Sequence, residues 1–580
     1  MRWPLVSLVR GLQSRCCRFG SSRWWLLGVS TAFSLLIGWL PLFAGFSYEY
    51  GLAIGVVVPL LVAPAVAWEL AERVQAPTTM LVDGARIGLQ SWILTALVAV
   101  LHGLRKGFCD WVGEFSHFFL ATALGVVAAG VWGGCVALGL SGRVRRWGLV
   151  VVALALPLAS MLFSFWRYYD SPIIFAFDHF VGFFSGTLYD TELQGTSRLL
   201  SYRLATLGWI GMALAASSML TRSSQGLKLV WRGRWGAILA LLVSAGVAFI
   251  VTLSGPRLGH YQTSKSVTEQ LGNELRAVRC RVVYDGSIAR REVQALAREC
   301  DAHVRELEEF FELEETPLIT VFLFAEANQK AWLMGARNVY IAKPWRHEIY
   351  IQRAGFPHPV LRHELAHVVA GNFARGPFRV AGPLKGWIPD PGRIEGLAVA
   401  AAPSESDDLT LLQWAAAMQA LDLLPPLRSV FRLSFLGANA SSAYTVAGAF
   451  VEWLRNAYGI KVVRLWYSGS NLEQLTKRPW AALEDSFRES LSNIELEPAE
   501  LDAARARFDR PGVFGRRCPH QVDEQLVAAQ QALGRGDVER ACSGFQAVLN
   551  LDEQNPGALF GLGRCQVRSG ESEQAREFFL

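Results

Sequence analysis

The sequence predicts a multidomain chain: a polytopic α-helical membrane bundle of about seven spans, then an α+β domain, then a short run of α-helical repeats. Three observations predict this. Apolar residues make up 52% of the 580 residues and concentrate in the first 254, in runs long enough to cross a bilayer. After residue 255 the chain becomes charged, and short alternating segments lead into His363-Glu364-Leu365-Ala366-His367. Near the C-terminal end, small and apolar residues recur at a period of 34, which is the spacing of a helical repeat.

Residues 1–23 hold Arg2, Arg10, Arg15, Arg18 and Arg23 and no acid, and read as a basic cytoplasmic N-terminus. The apolar run at about 24–46 is too long for the core of a cleaved signal and has no small-residue cleavage site, so it reads as a first span. Further runs lie near 50–68, 88–104, 117–140, 147–165, 201–220 and 236–254, the third of the seven being the weakest. With the N-terminus inside, the cytoplasmic segments carry fourteen basic residues and the outside loops four: Arg105, Lys106, Arg167 and Arg198. That asymmetry sets the orientation, and seven spans then place residues 255–580 outside the cytoplasm, on the periplasmic side of an inner membrane. Segment 172–189 is apolar apart from Asp178 and His179. As an eighth span it would carry the basic segment 222–234 outside, so it reads as interfacial or re-entrant, with Phe175, Phe177, Phe180, Phe183 and Phe184 forming an aromatic belt. No proton relay or ion pathway stands out, and the bundle 24–254 reads as an anchor. The net charge of +6 sits in arginine-rich membrane flanks. No basic stripe with interleaved aromatics points to nucleic acid.

In the α+β part, residues 281–284, 318–324, 338–342 and 348–353 read as strands, and 288–311 as a charged amphipathic helix. The motif helix follows Pro357 and Pro359, has an apolar face in Val360, Leu361, Leu365, Val368 and Val369, and stops near Gly371. On that helix His363 and His367 lie one turn apart on the same face, able to converge on one tetrahedral ion. Glu364 can then take a proton from the water such an ion activates. A metzincin would place its third ligand six residues after the second histidine, but Phe373 stands there. Glu395, early on a predicted helix running to Ala402, is the better third ligand, and Asp390 is the other acid within reach. Two imidazoles and a carboxylate leave a fourth position for water, as catalytic zinc sites require.

His363-Glu364-x-x-His367, then Trp387 and Glu395-Gly396-Leu397-Ala398, resemble the gluzincin metallopeptidases, in particular the peptidase-MA-like domains of bacterial proteins. Their pattern is H-E-x-x-H followed by W-x-x-E-G-x-A. Tyr444-x-x-x-Gly448-Ala449-Phe450-Val451, with Leu454 and Tyr458-Gly459, is similar to the helix that follows in that family. The resemblance covers about residues 275–480; here 27 residues separate His367 from Glu395, and Trp387 stands eight before Glu395. It implies a metallopeptidase domain over about 255–505. In it Zn²⁺ is held by His363, His367 and Glu395, Glu364 is general base and proton shuttle, and Tyr444 polarises the scissile carbonyl. An edge strand of the sheet would capture an extended peptide or protein substrate. Blander readings stand beside these: a chance H-E-x-x-H, Glu395 as a helix N-terminal carboxylate, Tyr444 as a packed ring, and His347 and His358 as exposed loop histidines.

Helices are expected at about 408–422, 428–434, 441–457 and 473–492. Over 521–580, Leu533/Val567, Gly536/Gly570, Ala541/Ala575 and Phe545/Phe579 recur at 34 residues, the tetratricopeptide period, and such repeats offer a surface for a protein partner. Among the nine cysteines no metal-binding C-x-x-C occurs, and Cys280 with Cys300 is one possible disulfide. The expected function is membrane-anchored, zinc-dependent hydrolysis of extracytoplasmic peptide bonds. The alternative is a catalytically silent scaffold that holds partners through its groove and repeats. An intramembrane protease is disfavoured, because the motif lies more than 100 residues after the last span.

Overall fold

The computed structural model describes residues 21–186, 196–223, 226–403, 409–509, 512, 515–516 and 518–579; most of the basic N-terminal segment lies outside them. The chain divides into two compact units near residue 264.

The first unit is helical: α1 (Ser21–Ile37), α2 (Tyr48–Leu70), α3 (Pro77–Lys106), α4 (Trp111–Leu140), α5 (Arg146–Asp170), α6 (Thr196–Ser218) and α7 (Trp235–Leu253). Six of these, α2 to α7, are long and apolar enough to cross a membrane, counted over the described residues. Helix α1 contributes 17 described residues. The first predicted run, 24–46, is not one helix. Gly38, Pro41 and Gly45 turn the chain after Ile37, and α2 begins afresh where the Ser47 hydroxyl accepts the Tyr50 N–H at 3.2 Å.

Close contact of small residues holds α3 to α4. Gly84 and Gly130 lie so near one another's carbonyls that a Cβ on either would collide with the other. Apolar helices gain little from burying one more apolar side chain in lipid, so backbone approach supplies the packing instead. Helix α4 carries a π turn at Phe119–Ala123. The fully buried Arg203 of α6 answers it: its Nε donates to the Leu120 carbonyl at 2.7 Å, and its Nη2 donates to that of Ala121.

Between α5 and α6 lies a hairpin, β1 (Phe175–Asp178) and β2 (Gly182–Ser185), paired antiparallel. Each strand reaches only about 13 Å, so residues 175–185 form a hairpin and not part of an eighth membrane helix. The predicted aromatic belt is also corrected. Phe175, Phe177, Phe180 and Phe183 are buried, and only Phe184 is exposed. The rings pack on each other instead, Phe177 lying 5.0 Å from Phe183 and 5.5 Å from Tyr202. A second hairpin, β3 (Leu220–Ser223) with β4 (Gly226–Leu229), occupies the basic segment before α7.

The second unit holds a five-stranded sheet of order β5-β6-β7-β9-β8, from β5 (Gly272–Arg276), β6 (Cys280–Asp285), β7 (Ile319–Phe324), β8 (Ile341–Lys343) and β9 (Glu348–Gln352). The middle strands are parallel and both edges antiparallel. Helix α8 (Arg290–Phe311) packs its apolar stripe, Val293, Leu296, Val304, Leu307 and Phe311, into the core under the sheet. Strand β5 is absent from the sequence reading because Asn273, Glu274 and Arg276 present no apolar alternation. Then come α9 (Ala327–Met334), the motif helix α10 (Leu361–Ala370), α11 (Pro391–Ala401), α12 (Ala440–Tyr458), α13 (Ile460–Tyr467) and α14 (Trp480–Ser492). The predicted helix 473–492 is broken by the left-handed Lys477 and by Pro479, which opens α14. Helix α15 (Pro498–Phe508) buries Ala504 and Phe508 in the same core, so this body of structure reaches a little past residue 505.

The last four helices, α16 (Pro519–Gly534), α17 (Val538–Leu551), α18 (Pro556–Ser569) and α19 (Ser572–Phe579), surround a separate small core of Val522, Ala529, Ala541, Phe545, Ala558 and Leu562. The side chain of Phe579, one member of the 34-residue recurrence, lies outside the described residues.

Cys280 of β6 and Cys300 of α8 are joined by a disulfide across a sequence separation of 20 residues. Replacing both by serine is expected to lower stability by about 3 kcal/mol, the chain-entropy estimate for a loop of that length. The thermal transition of the full chain in detergent checks this, and an unchanged midpoint would argue that the bridge carries no stability.

Candidate metal centre

The motif helix is held at both ends before any functional side chain is placed. Ahead of it, the His358 N–H donates to Glu299 Oε1 at 2.7 Å and the His358 ring bonds the Gln352 carbonyl at 2.9 Å, which ties the link from β9 to α8. His358 is therefore a buried structural residue rather than an exposed loop histidine. His347 is half-buried beside Arg379. Within α10, Leu361, Leu365, Val368 and Val369 enter the core, and this fixes the rotation that puts His363 and His367 on one side.

Helix α11 brings the third group. Asp390 caps it, accepting the Arg393 N–H at 3.3 Å and pairing with the Arg393 guanidinium at 3.0 Å. Its carboxylate is thus committed to the helix end, and the acid that lies beside the two histidines is Glu395. One turn further, Gly396 lies against the backbone of Ala447 in α12, and a Cβ there would approach that backbone to 2.8 Å. This close approach seats α11 on α12 while Glu395, next to the glycine, faces α10.

His363, His367 and Glu395 form a triangle. The two Nε2 atoms are 3.2 Å apart, and Glu395 Oε2 lies 3.3 Å from His363 Nε2 and 3.4 Å from His367 Nε2. A tetrahedral zinc with bonds of about 2.0–2.1 Å places its donors about 3.3 Å from one another. The donor set therefore fits zinc in kind and in spacing. Among the described residues this is the one group of three or more histidine, cysteine or acidic side chains close enough to share an ion.

The electrostatics separate the two carboxylates. Burial would raise the pKa of Glu395, but the charges and hydrogen bonds of His367 and His363 outweigh it and hold the group well below the usual range. Glu364, buried beside them, is pushed up to about 7 by burial, with the Glu395 charge adding and those of His363 and Lys330 opposing. One acid is kept as a ligand-ready anion, and the other is poised near neutrality.

Tyr444, on α12, packs its ring 5.3 Å from Phe435, and the polar contacts of the three donors, which are with one another, do not include it. Trp387 is exposed. Three neighbours are absent from the sequence reading. Lys330 of α9 is fully buried, donates to the Val339 carbonyl at 3.0 Å and lies 4.2 Å over the Tyr340 ring. Tyr340 feels the charge of Glu364. Tyr467, at the end of α13, is kept protonated by burial and then by the charge of Glu395. Tyr467 lies between two predicted helices with no signal of its own, and nothing marks a lysine as buried.

No protein-family model matches the chain, and no curated protein matches it.

The triangle predicts about one zinc per chain. His363→Ala is expected to reduce zinc content to near zero, because two remaining donors cannot close a first shell. Metal analysis of the purified full chain checks this, and full retention would place the metal elsewhere.

Proposed function

We propose that the chain is a membrane-anchored, zinc-dependent metallopeptidase of gluzincin type, hydrolysing peptide bonds in extracytoplasmic protein or peptide substrates. The observation that carries this reading is the conjunction at one site of three donors at zinc spacing and a buried carboxyl, Glu364, beside them. A zinc ion held there would supply Lewis acidity, polarising the scissile carbonyl and acidifying the attacking water.

The protein's own part falls mainly to Glu364. It accepts the proton released as water attacks and returns it to the leaving amide nitrogen. Tyr444 is the proposed partner of the developing oxyanion. Strand β8 is the edge strand of the sheet on the side where α10 packs, so an extended peptide added there would run alongside the site.

The proposed setting is the periplasmic side of an inner membrane. The basic asymmetry of the segments that connect the six membrane-length helices, with α1 taken as a seventh span, and the Cys280–Cys300 bridge, which suits an oxidising compartment, support it. We assign the four C-terminal helices to binding a protein partner, as tetratricopeptide-like repeats.

Removing the base while leaving the donors intact divides enzyme from scaffold. Glu364→Gln is expected to retain zinc and fold but to lose ~10²–10⁴ in the rate of peptide cleavage, the usual loss for a positioned general base. Tyr444→Phe should lower turnover with zinc content unchanged. A zinc-loaded parent that cleaves nothing across a broad peptide library would rule out the peptidase reading. Topology is tested separately: a reporter active only in the cytoplasm, fused after residue 580, should give no signal, and a bright one would reverse the orientation.

A further inference from the structure

A cavity of about 150 Å³ lies within the first unit, between the C-terminal half of α5, the turn after β1, the N-terminal half of α6 and the end of α7. The peptidase reading makes no use of it. Ser164, Arg167, Asp178, His179, Tyr202 and His260 are among its lining residues, and nearly all of these polar groups already have work.

The Asp178 carboxylate accepts the hydroxyls of Ser160 and Ser164 and the N–H groups of Phe180 and Val181. His179 Nδ1 bonds the Thr206 hydroxyl at 2.9 Å, and His260 Nε2 bonds that of Ser201 at 2.7 Å. The Tyr202 ring is clasped between the two imidazoles, at 4.8 and 5.2 Å. Nearby, Arg203 directs its donors at backbone carbonyls.

Arg167 is different. Its half-buried guanidinium lies 4.6 Å over Phe163 and 4.3 Å over Tyr261. Among the described residues no acid pairs with it. Two arginines therefore stand against one aspartate whose charge is already met by four donors, and the region carries an excess of positive charge in apolar surroundings. A guanidinium so placed is costly without a counter-ion, and its planar fork matches a phosphate. The source of the phosphate follows from what flanks the cavity. Phe163 of α5 and Phe249 and Ile250 of α7 are exposed apolar side chains at the same ends of their helices, where acyl chains would run if these helices span a bilayer.

We propose that this cavity binds the phosphate headgroup of an anionic membrane lipid through Arg167, with the acyl chains lying along the exposed faces of α5 and α7. The test uses the full chain in nanodiscs of phosphatidylcholine, with and without phosphatidylglycerol, and counts retained lipid by native mass spectrometry. The parent should retain phosphatidylglycerol in preference to phosphatidylcholine. Arg167→Gln should reduce that retention at least about tenfold, and Arg167→Lys, which keeps the charge and loses the fork, by less. Arg145→Gln, in the connection before α5, should leave it unchanged. Equal retention by the parent and a folded Arg167→Gln variant overturns the proposal; should that variant fail to fold, equal retention by Arg167→Lys does so. Phosphatidylcholine held as tightly as phosphatidylglycerol also overturns it. Stabilisation of the detergent-solubilised chain by inorganic phosphate, with no lipid preference, overturns the lipid source and assigns the site to a soluble anion.

Discussion

Glu395 has to give up most of its water and come to rest within 3.4 Å of two imidazoles, and α10, α11 and α12 are packed so as to meet that requirement. An ionised carboxylate taken out of water loses several kcal/mol unless partners replace its hydration, a large fraction of the roughly 5–15 kcal/mol that holds a domain folded. The partners cannot come from neighbours in sequence. They come from α10, and α11 must be pressed against α10 and α12 together for them to reach. Gly396 makes the second of those contacts by letting the Ala447 backbone in. The apolar residues of α10, α11 and α12 belong to one continuous core, so the burial that stabilises the unit also fixes the triangle.

How far this could be read from residues alone varied with the range of the interaction. The motif helix was legible because its apolar face, its preceding prolines and its two histidines all lie within one stretch of about a dozen residues. The sequence leaves Glu395 and Asp390 both open, because a cap and a candidate ligand are both acids near a helix start. What separates their surroundings is the Arg393 side chain folding back on Asp390, which the order of residues does not display. Lys330 and Tyr467 reach the site from elements 33 residues before and 104 residues after His363, and nothing in those stretches marks either residue as belonging to it. The first unit shows the same division. Long apolar runs are plain, whereas the hairpin at Phe175–Ser185 reads as an interfacial aromatic belt, because successive phenylalanines look alike whether they face a membrane interface or one another.

That hairpin, the π turn of α4 and Arg203 form one polar device inside an apolar unit. A π turn leaves carbonyls out of the regular ladder, and in surroundings without water they must find donors within the protein. Arg203 supplies them and also donates to the His179 carbonyl at 2.8 Å. The hairpin turn, the π turn and α6 are therefore fastened at one side chain. This gives the unit a rigid polar centre, which an assembly of plain apolar helices would lack.

The cap at Asp390 divides the chain around the site into parts with very different freedom. Between Ala370 and Asp390 the backbone makes turns and a few left-handed residues, Arg379, Leu384 and Lys385 among them, and loop closure depends only weakly on length. Residues could be gained or lost there with little effect on where α11 begins. From Asp390 to Glu395 no such slack exists. Each helical residue turns the chain by about 100°, so a single insertion inside that turn would swing the carboxylate away from both imidazoles and carry Gly396 off its seat on α12. Length variation should thus collect on the N-terminal side of the cap, and the interval after it should behave as a fixed ruler.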